Sequence, residues 1–131
     1  VLPDRSGTAR AGLLDFQDAL LGHRAYDLVS LIQDARRDVR ADTAEVCIRH
    51  YCAATGQAKE AFRTSLAVLG AQRNLRILGI FARLARRDGK TRYLALMPRV
   101  WNQIRADLRH PALSGVAACA AAIPAPEETA A

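Results

Sequence analysis

The sequence predicts a mainly α-helical fold with a short β-hairpin at the amino terminus, and three observations support this. Half of the 131 residues are apolar, which suits one domain with one hydrophobic core. Alanine, leucine and arginine are abundant while aromatic residues make up only 5%, and the abundant types lose little rotamer freedom in a helix. Apolar residues also recur at intervals of three and four along most of the chain, which is the spacing of a helix face.

The predicted hairpin lies in residues 3–16. Residues 3–8 carry the Pro, Asp, Ser and Gly of a polar turn, and the apolar segment that follows, through Phe16, predicts a short buried strand. Together they look like the second half of a hairpin. Because so short a strand cannot form a sheet alone, we expect the chain to be part of a larger structure.

Two helices are predicted next. The first covers about residues 23–37, where apolar side chains follow the helical spacing. The second runs to about Thr55, with Asp42 or Thr43 as its cap. Gly56 follows it and tolerates the left-handed conformation that ends many helices.

A longer helical pattern occupies residues 57–88. This is too long for a single ordinary helix. Glycine costs about 1 kcal/mol relative to alanine inside a helix. We therefore expect Gly70 or Gly79 to mark either a break or a close contact with another helix.

The rest of the chain predicts two further helices and a tail. One helix starts near Tyr93 or Pro98 and ends before residues 110–111, where the proline can open a short final helix. The composition of residues 124–131 predicts a disordered tail. Residues 1–123 would then form the folded lobe.

The charge and the composition limit the kinds of partner and the cellular location that we expect. The net charge of +6 comes mainly from arginine and suggests attraction to phosphate-bearing partners. No apolar stretch reaches the roughly 18 residues of a membrane span and no signal-peptide layout is present, so we expect a cytoplasmic protein without a membrane partner. The arginines are spread over several helices and no DNA-binding motif occurs, which disfavours nucleic acid as a partner. The three cysteines lack metal-type spacing and predict reduced thiols.

Asp15 is the strongest candidate for chemistry. It stands at the end of an apolar run, where a strand would fix the backbone and present the carboxylate at its rim. The residue could hold a cation or could merely cap the following turn. Asp18, three residues on, could share that cation or serve as a turn acid. Mg²⁺ needs only one or two protein carboxylates, so a larger acidic cluster is not required.

These residues resemble a known family. Leu-Leu-Asp-Phe-Gln-Asp-Ala at residues 13–19, followed by Gly22 and Tyr-Asp-Leu at residues 26–28, resembles the metal-binding segment of aminoglycoside phosphotransferase-like kinases, a branch of the protein-kinase-like fold. Further segments resemble the bacterial sugar kinases that phosphorylate N-acetylmuramate and N-acetylglucosamine at the anomeric position. Those segments are residues 72–75, 78–84, 87–90, 93–94 and 98–99.

The resemblance implies roles for individual residues. Asp15 would match the aspartate of the kinase Asp-Phe-Gly element, which holds Mg²⁺ across the β- and γ-phosphates of ATP. Phe16 would pack beneath it, and Gly22 would permit a tight turn into the first helix. Asp27 would match a buried aspartate that braces the catalytic loop. Gln17 replaces the glycine of the element, a change that leaves the metal-binding acid in place.

The resemblance also implies what this sequence lacks. The chain looks like the helical carboxy-terminal lobe of an α+β kinase, and neither the catalytic loop with its base nor the nucleotide-binding lobe is present in it. Since a positioned base contributes about 10²–10⁴ in rate and substrate positioning even more, we expect the segment alone to be inactive. In a longer parent it would phosphorylate an amino-sugar hydroxyl in cell-wall recycling, using ATP and Mg²⁺.

An alternative function of the chain remains open. The chain could be a non-catalytic helical module derived from a kinase-like fold, which binds a partner or a second copy of itself through an exposed apolar surface.

Arg73 and Arg76 interrupt the most apolar helix and would need partners if buried. They could pair with Asp27 or Asp34, or could face a sugar substrate.

Overall fold

The computed structural model describes residues 3–12, 17 and 19–126, and the described part of the chain is mainly helical. This confirms the predicted fold class. Short 3₁₀ helices occur at Gly7–Arg10, Thr91–Leu96 and Pro111–Leu113. The α-helices are α1 (Ala25–Ile32), α2 (Ala41–Thr55), α3 (Lys59–Asp88), α4 (Met97–Asp107) and α5 (Ser114–Ala120).

The central element is α3, a continuous helix of 30 residues. It contacts α1, α2, α4 and the 3₁₀ helix Thr91–Leu96. The predicted break at Gly70 or Gly79 is therefore wrong, because tertiary packing along α3 outweighs the helix-breaking tendency of two glycines. Gly70 instead fulfils the other expectation, a close contact with a neighbouring helix.

The sequence predicted the end of one helix correctly and the end of another incorrectly. Gly56 ends α2 in the left-handed conformation with φ of 67°, as predicted. In contrast, α1 ends at Ile32, earlier than the predicted residue 37. The cause is Asp34, whose side chain accepts a hydrogen bond of 2.9 Å from the backbone N–H of Arg36 and so favours a turn over another helical residue.

Three buried apolar clusters of described residues lie along α3, and the two larger ones show how it joins the other helices. The first joins α1 and α2 to the amino-terminal half of α3, with Phe62 and Leu66 at its centre. The second joins α4 to the carboxy-terminal half, where Val100 and Ile104 are fully buried. Trp101 also belongs to this second cluster. A membrane-crossing helix is not found in the described ranges 3–12 and 19–126.

The two ends of the chain are described only in part. The predicted strand falls largely on residues 13–16, which lie outside the described residues. In residues 3–12 the backbone forms a turn and the 3₁₀ helix Gly7–Arg10, without a strand. At the other end, Ala125 packs against the second cluster, and residues 127–131 lie outside the described part.

Candidate functional site

The predicted metal-binding residues cannot be placed. Asp15, Asp18 and Phe16 lie outside the described residues, so their roles stay predictions. Within the described ranges, no group of three metal-ligating side chains is brought together. Carboxylate oxygens are nevertheless the ligands that Mg²⁺ prefers, and the donor types at positions 15 and 18 fit that metal.

A groove lies next to this segment in the chain. It has a volume of about 770 Å³ and includes residues 19–24 together with Asp27, Tyr51 and Leu69. Leu20 and Leu21 stand at its edge and are almost fully exposed, at 92% and 106% of their reference surface. The segment that leads from the candidate acids into α1 thus presents apolar side chains that the described residues leave exposed.

Gly22 and Asp27 both line the groove. A Cβ added at Gly22 would meet no atom within 4 Å, so nothing described here requires a glycine at that position. Asp27 lies in the first turn of α1, where a carboxylate interacts favourably with the helix dipole. Its side chain is exposed in this chain. The predicted support of a turn and of a catalytic loop by these two residues stays a prediction.

Arg73 and Arg76 lie on α3. Arg73 is half-buried, and its Nη1 donates to the carbonyl of Gln33 at 3.2 Å and to Asn74 Oδ1 at 3.3 Å. Arg76 is exposed and has no hydrogen bond or ion pair to any described residue. Neither arginine forms an ion pair with Asp27 or Asp34, so the first of the two predicted alternatives does not occur among the described contacts.

The loop after α1 is held by arginines instead. Asp34 pairs with Arg36 at 3.2 Å and with Arg37 at 3.1 Å. Burial acts to raise the pKa of Asp34, but the hydrogen bonds from Arg36 and the charges of both arginines outweigh it and lower the pKa. Arg99 of α4 bonds to Asp38 at 2.6 and 2.9 Å and to the carbonyl of Ala35 at 3.1 Å.

A buried polar cluster ties α1, α3 and α4 together. Gln33 follows α1, and its Nε2 donates to Asp107 Oδ1 of α4 at 2.8 Å. Its Oε1 accepts from Asn74 Nδ2 of α3 at 2.6 Å. Asn74 is fully buried, and Asp107 is only 8% exposed. We refer to Gln33, Asn74 and Asp107 as the polar clamp.

The Asp107 carboxyl lies directly against Gly70 of α3. A Cβ at position 70 would come within 3.0 Å of Asp107 Oδ2 and at 2.8 Å from Gln33 Oε1. The Oδ2 atom is buried and has no hydrogen-bond partner among the described residues. Burial raises the pKa of Asp107 to about 7, although the hydrogen bond from Gln33 acts to lower it.

Sequence reasoning missed the polar clamp. A signal for two of its members was present, because Asp107 follows Ile104 by three residues and Val100 by seven, and so shares their buried helix face. Asn74 likewise follows Ala71 by three residues on the buried face of α3. A polar residue at such a position requires a buried partner, which the spacing does not identify.

Comparison with known proteins connects the predicted metal-binding segment to phosphoryl transfer. Residues 2–63, which include Asp15, Asp18 and Asp27, match the family described as the phosphotransferase enzyme family. Arg73 and Arg76 lie beyond this match.

Three curated relatives carry the same name, N-acetylmuramate/N-acetylglucosamine kinase. The protein from Caulobacter vibrioides is 47% identical over 86% of this chain, and that from Neisseria meningitidis is 42% identical over 73%. The protein from Pseudomonas putida is 38% identical over 74% of the chain. In each case the alignment covers 31% of the relative, so the chain spans about a third of the length of these kinases.

Proposed function

We propose that this chain, whose residues 2–63 match the phosphotransferase enzyme family, is a segment of an ATP-dependent sugar kinase. The reaction would be transfer of the γ-phosphoryl group of ATP to a hydroxyl of an N-acetylated amino sugar, in cytoplasmic cell-wall recycling. The observation that supports this most is the 47% identity to the Caulobacter kinase over 114 residues.

The chain's own contribution to this chemistry would be centred on Asp15. Its carboxylate, with that of Asp18, would hold Mg²⁺, and Phe16 would support the acid from below. When bound, Mg²⁺ neutralises charge that develops on the β- and γ-phosphates. Gly22 and Asp27 would support the segment that joins these acids to α1.

Arg73 and Arg76 are the proposed contacts to substrate. A guanidinium carries five N–H donors, and the described bonds of Arg73 use only its Nη1. Arg76 is exposed and keeps all of its donors available to a ligand. Both therefore retain the capacity to bind sugar hydroxyls or phosphate oxygens.

The 131-residue chain by itself should not catalyse the phosphorylation of a sugar. It covers 31% of the related kinases and lacks the base and the nucleotide-binding lysine that the resemblance implies. A base contributes about 10²–10⁴ in rate, and alignment of two substrates contributes effective molarities of about 10⁵–10⁸ M. Phosphorylation by the chain alone, at a rate near that of a whole kinase, would contradict this part of the proposal.

A chimera tests the function directly. The segment of the Caulobacter kinase that aligns with this chain is replaced by this chain, and the product is assayed with ATP, Mg²⁺ and either N-acetylmuramate or N-acetylglucosamine. We expect sugar phosphorylation by the chimera. An Asp15→Asn variant should lose at least about 10²-fold in rate, because the loss of a metal-binding carboxylate removes several kcal/mol of charge stabilisation.

The matched control is Asp4→Asn, which changes an exposed aspartate in the same amino-terminal part of the chain. It should leave turnover unchanged. A folded chimera without activity would contradict the proposed function, whereas an active chimera that tolerates Asp15→Asn would contradict only the metal assignment. Circular dichroism establishes in each case that the chimera is folded.

The exposed leucines favour a second candidate, a helical module that binds a partner or a second copy. Leu20 and Leu21 border the groove and present a continuous apolar edge. Sedimentation of the 131-residue chain distinguishes the two candidates. A stable dimer that Leu20→Ser and Leu21→Ser together dissolve supports the module, and a monomer at all concentrations argues against self-association.

A further inference from the structure

The polar clamp has a fixed direction of hydrogen bonding. An arginine N–H can only donate, so the atom of Asn74 that meets Arg73 is its amide oxygen. The amide nitrogen of Asn74 then faces Gln33 Oε1, and this leaves Gln33 Nε2 to face Asp107. The chain of bonds therefore starts at a cation and ends at the Asp107 carboxyl, which accepts at Oδ1.

The Asp107 site provides poor compensation for a negative charge. An ionised carboxylate accepts about four hydrogen bonds, but Asp107 accepts one, from Gln33. Its second oxygen faces the Cα of Gly70 and has no donor among the described residues. Burial of a charge that is so weakly paired is unfavourable, so the neutral carboxyl is the form that suits this site.

Charged and titratable groups around Asp107 do not change this conclusion. The cleft beside it is lined by Glu60 and Arg63 from α3, and by Arg109 and His110 after α4. Ile32 and Ile48 are the contributions of α1 and α2 to this cleft. The backbone N–H of His110 donates to the backbone carbonyl of Asp107 at 2.9 Å, but no described hydrogen bond or ion pair joins the side chains of these four residues to the Asp107 carboxyl. Arg63 pairs with Glu45 instead.

We propose that the polar clamp is a proton-dependent device, which holds α1, α3 and α4 together while the Asp107 carboxyl is neutral and is weakened when that carboxyl ionises. The described side-chain hydrogen bond between Gln33 and α4 is the one to this carboxyl. Ionisation brings an uncompensated charge against α3, where Oδ2 is buried and has no donor among the described residues. The device does not depend on the proposed kinase activity.

The direction of the pH effect follows from the shift. The pKa of Asp107 is about 7 in the folded chain and 3.8 in the unfolded reference. Between these values the folded chain retains a proton that the unfolded chain has lost, so stability falls as pH rises through this window and levels off above about 7. One such proton changes the unfolding equilibrium constant by up to about tenfold per pH unit.

Urea unfolding of the 131-residue chain between pH 5 and 8 tests the device. We expect the unfolding equilibrium constant to increase by up to about a hundredfold from pH 5 to 7. In Asp107→Asn, which is neutral at every pH and nearly the same in shape, this increase should disappear. The matched control Asp4→Asn, at an exposed site, should keep the dependence of the original chain.

Carbon NMR of the Asp107 carboxyl provides a second measurement, which remains decisive if Asp107→Asn does not fold. Titration of the carboxyl near pH 7 supports the device, because this carbon signal belongs to Asp107 alone. Titration near 3.8 overturns the proposal. So does an Asp107→Asn variant whose stability changes with pH as steeply as that of the original chain.

Discussion

Replacement of Gly70 by alanine tests the close packing of α3 against the polar clamp. The new Cβ would overlap Asp107 Oδ2 and approach Gln33 Oε1 to 2.8 Å. Relief of this overlap requires Asp107 to move away from Gln33, which weakens their 2.8 Å hydrogen bond. Overpacking costs about 1–3 kcal/mol, and an impaired buried hydrogen bond costs about 1–3 kcal/mol.

One term acts in the opposite direction. Alanine is more favourable than glycine in a helix interior by about 1 kcal/mol. The net expectation for Gly70→Ala is therefore a free energy of unfolding lower by about 1–5 kcal/mol. The measurement is equilibrium urea unfolding of the 131-residue chain, followed by circular dichroism at a fixed pH of 6, where Asp107 keeps its proton.

Gly79 supplies the matched control on the same helix. It lies inside α3, and a Cβ there would meet no atom within 4 Å. Gly79→Ala should thus gain the full helix preference, about 0.5–1 kcal/mol. A stabilising Gly70→Ala, equal to Gly79→Ala, would refute the packing argument.

The clash also has a specific source that a double variant can isolate. With Asp107 shortened to alanine, the atoms that obstruct position 70 are largely removed. Gly70→Ala should then cost less than in the original chain, and the difference is the coupling energy between the two positions. Equal costs in the two backgrounds would place the strain elsewhere.

Two further predictions concern buried polar groups. Asp34→Asn should lower the free energy of unfolding by about 1 kcal/mol at pH 7, since it weakens charge-assisted bonds to solvent-exposed arginines. Because the folded-state pKa of Asp34 is lowered, this loss of stability should shrink as pH falls below about 4. Urea unfolding at pH 7 and pH 3 measures the difference. Asn74→Ala should lower the free energy of unfolding by about 2 kcal/mol, because Gln33 Oε1 and one donor of Arg73 lose their buried partner. Thermal and urea unfolding at pH 6 measure this change. A decrease below about 0.5 kcal/mol would mean that water replaces the amide.

Local features were predicted well from sequence. The predicted end of α2 at Gly56 depends on the backbone freedom of one residue, and Gly89 ends α3 in the same way with φ of 64°. The early end of α1 also has a local cause in Asp34, although the apolar periodicity concealed it. Signals of this kind act over a few residues and can be identified without knowledge of the fold.

Features that depend on distant partners were not predicted. The 30 residues of α3 stay continuous because other helices pack along it, and helix propensity contains no information on that packing. Gln33 and Asp107 are 74 positions apart in the chain, so spacing could mark each as unusual but could not pair them. For the candidate site, the sequence motifs indicated a resemblance to phosphotransferases, and residues 2–63 match that family, while the metal-binding roles of Asp15 and Asp18 stay predictions.

The length of α3 has a consequence for the order in which the fold can assemble. All members of the first apolar cluster lie in residues 25–69, whereas the second also needs residues 100–108. A helix of 30 residues is about 45 Å long, so the first and second clusters pack against different halves of it. As the chain leaves the ribosome, the first cluster is complete in sequence before α4 exists. The half of α3 that follows it is then a ready surface on which α4 folds.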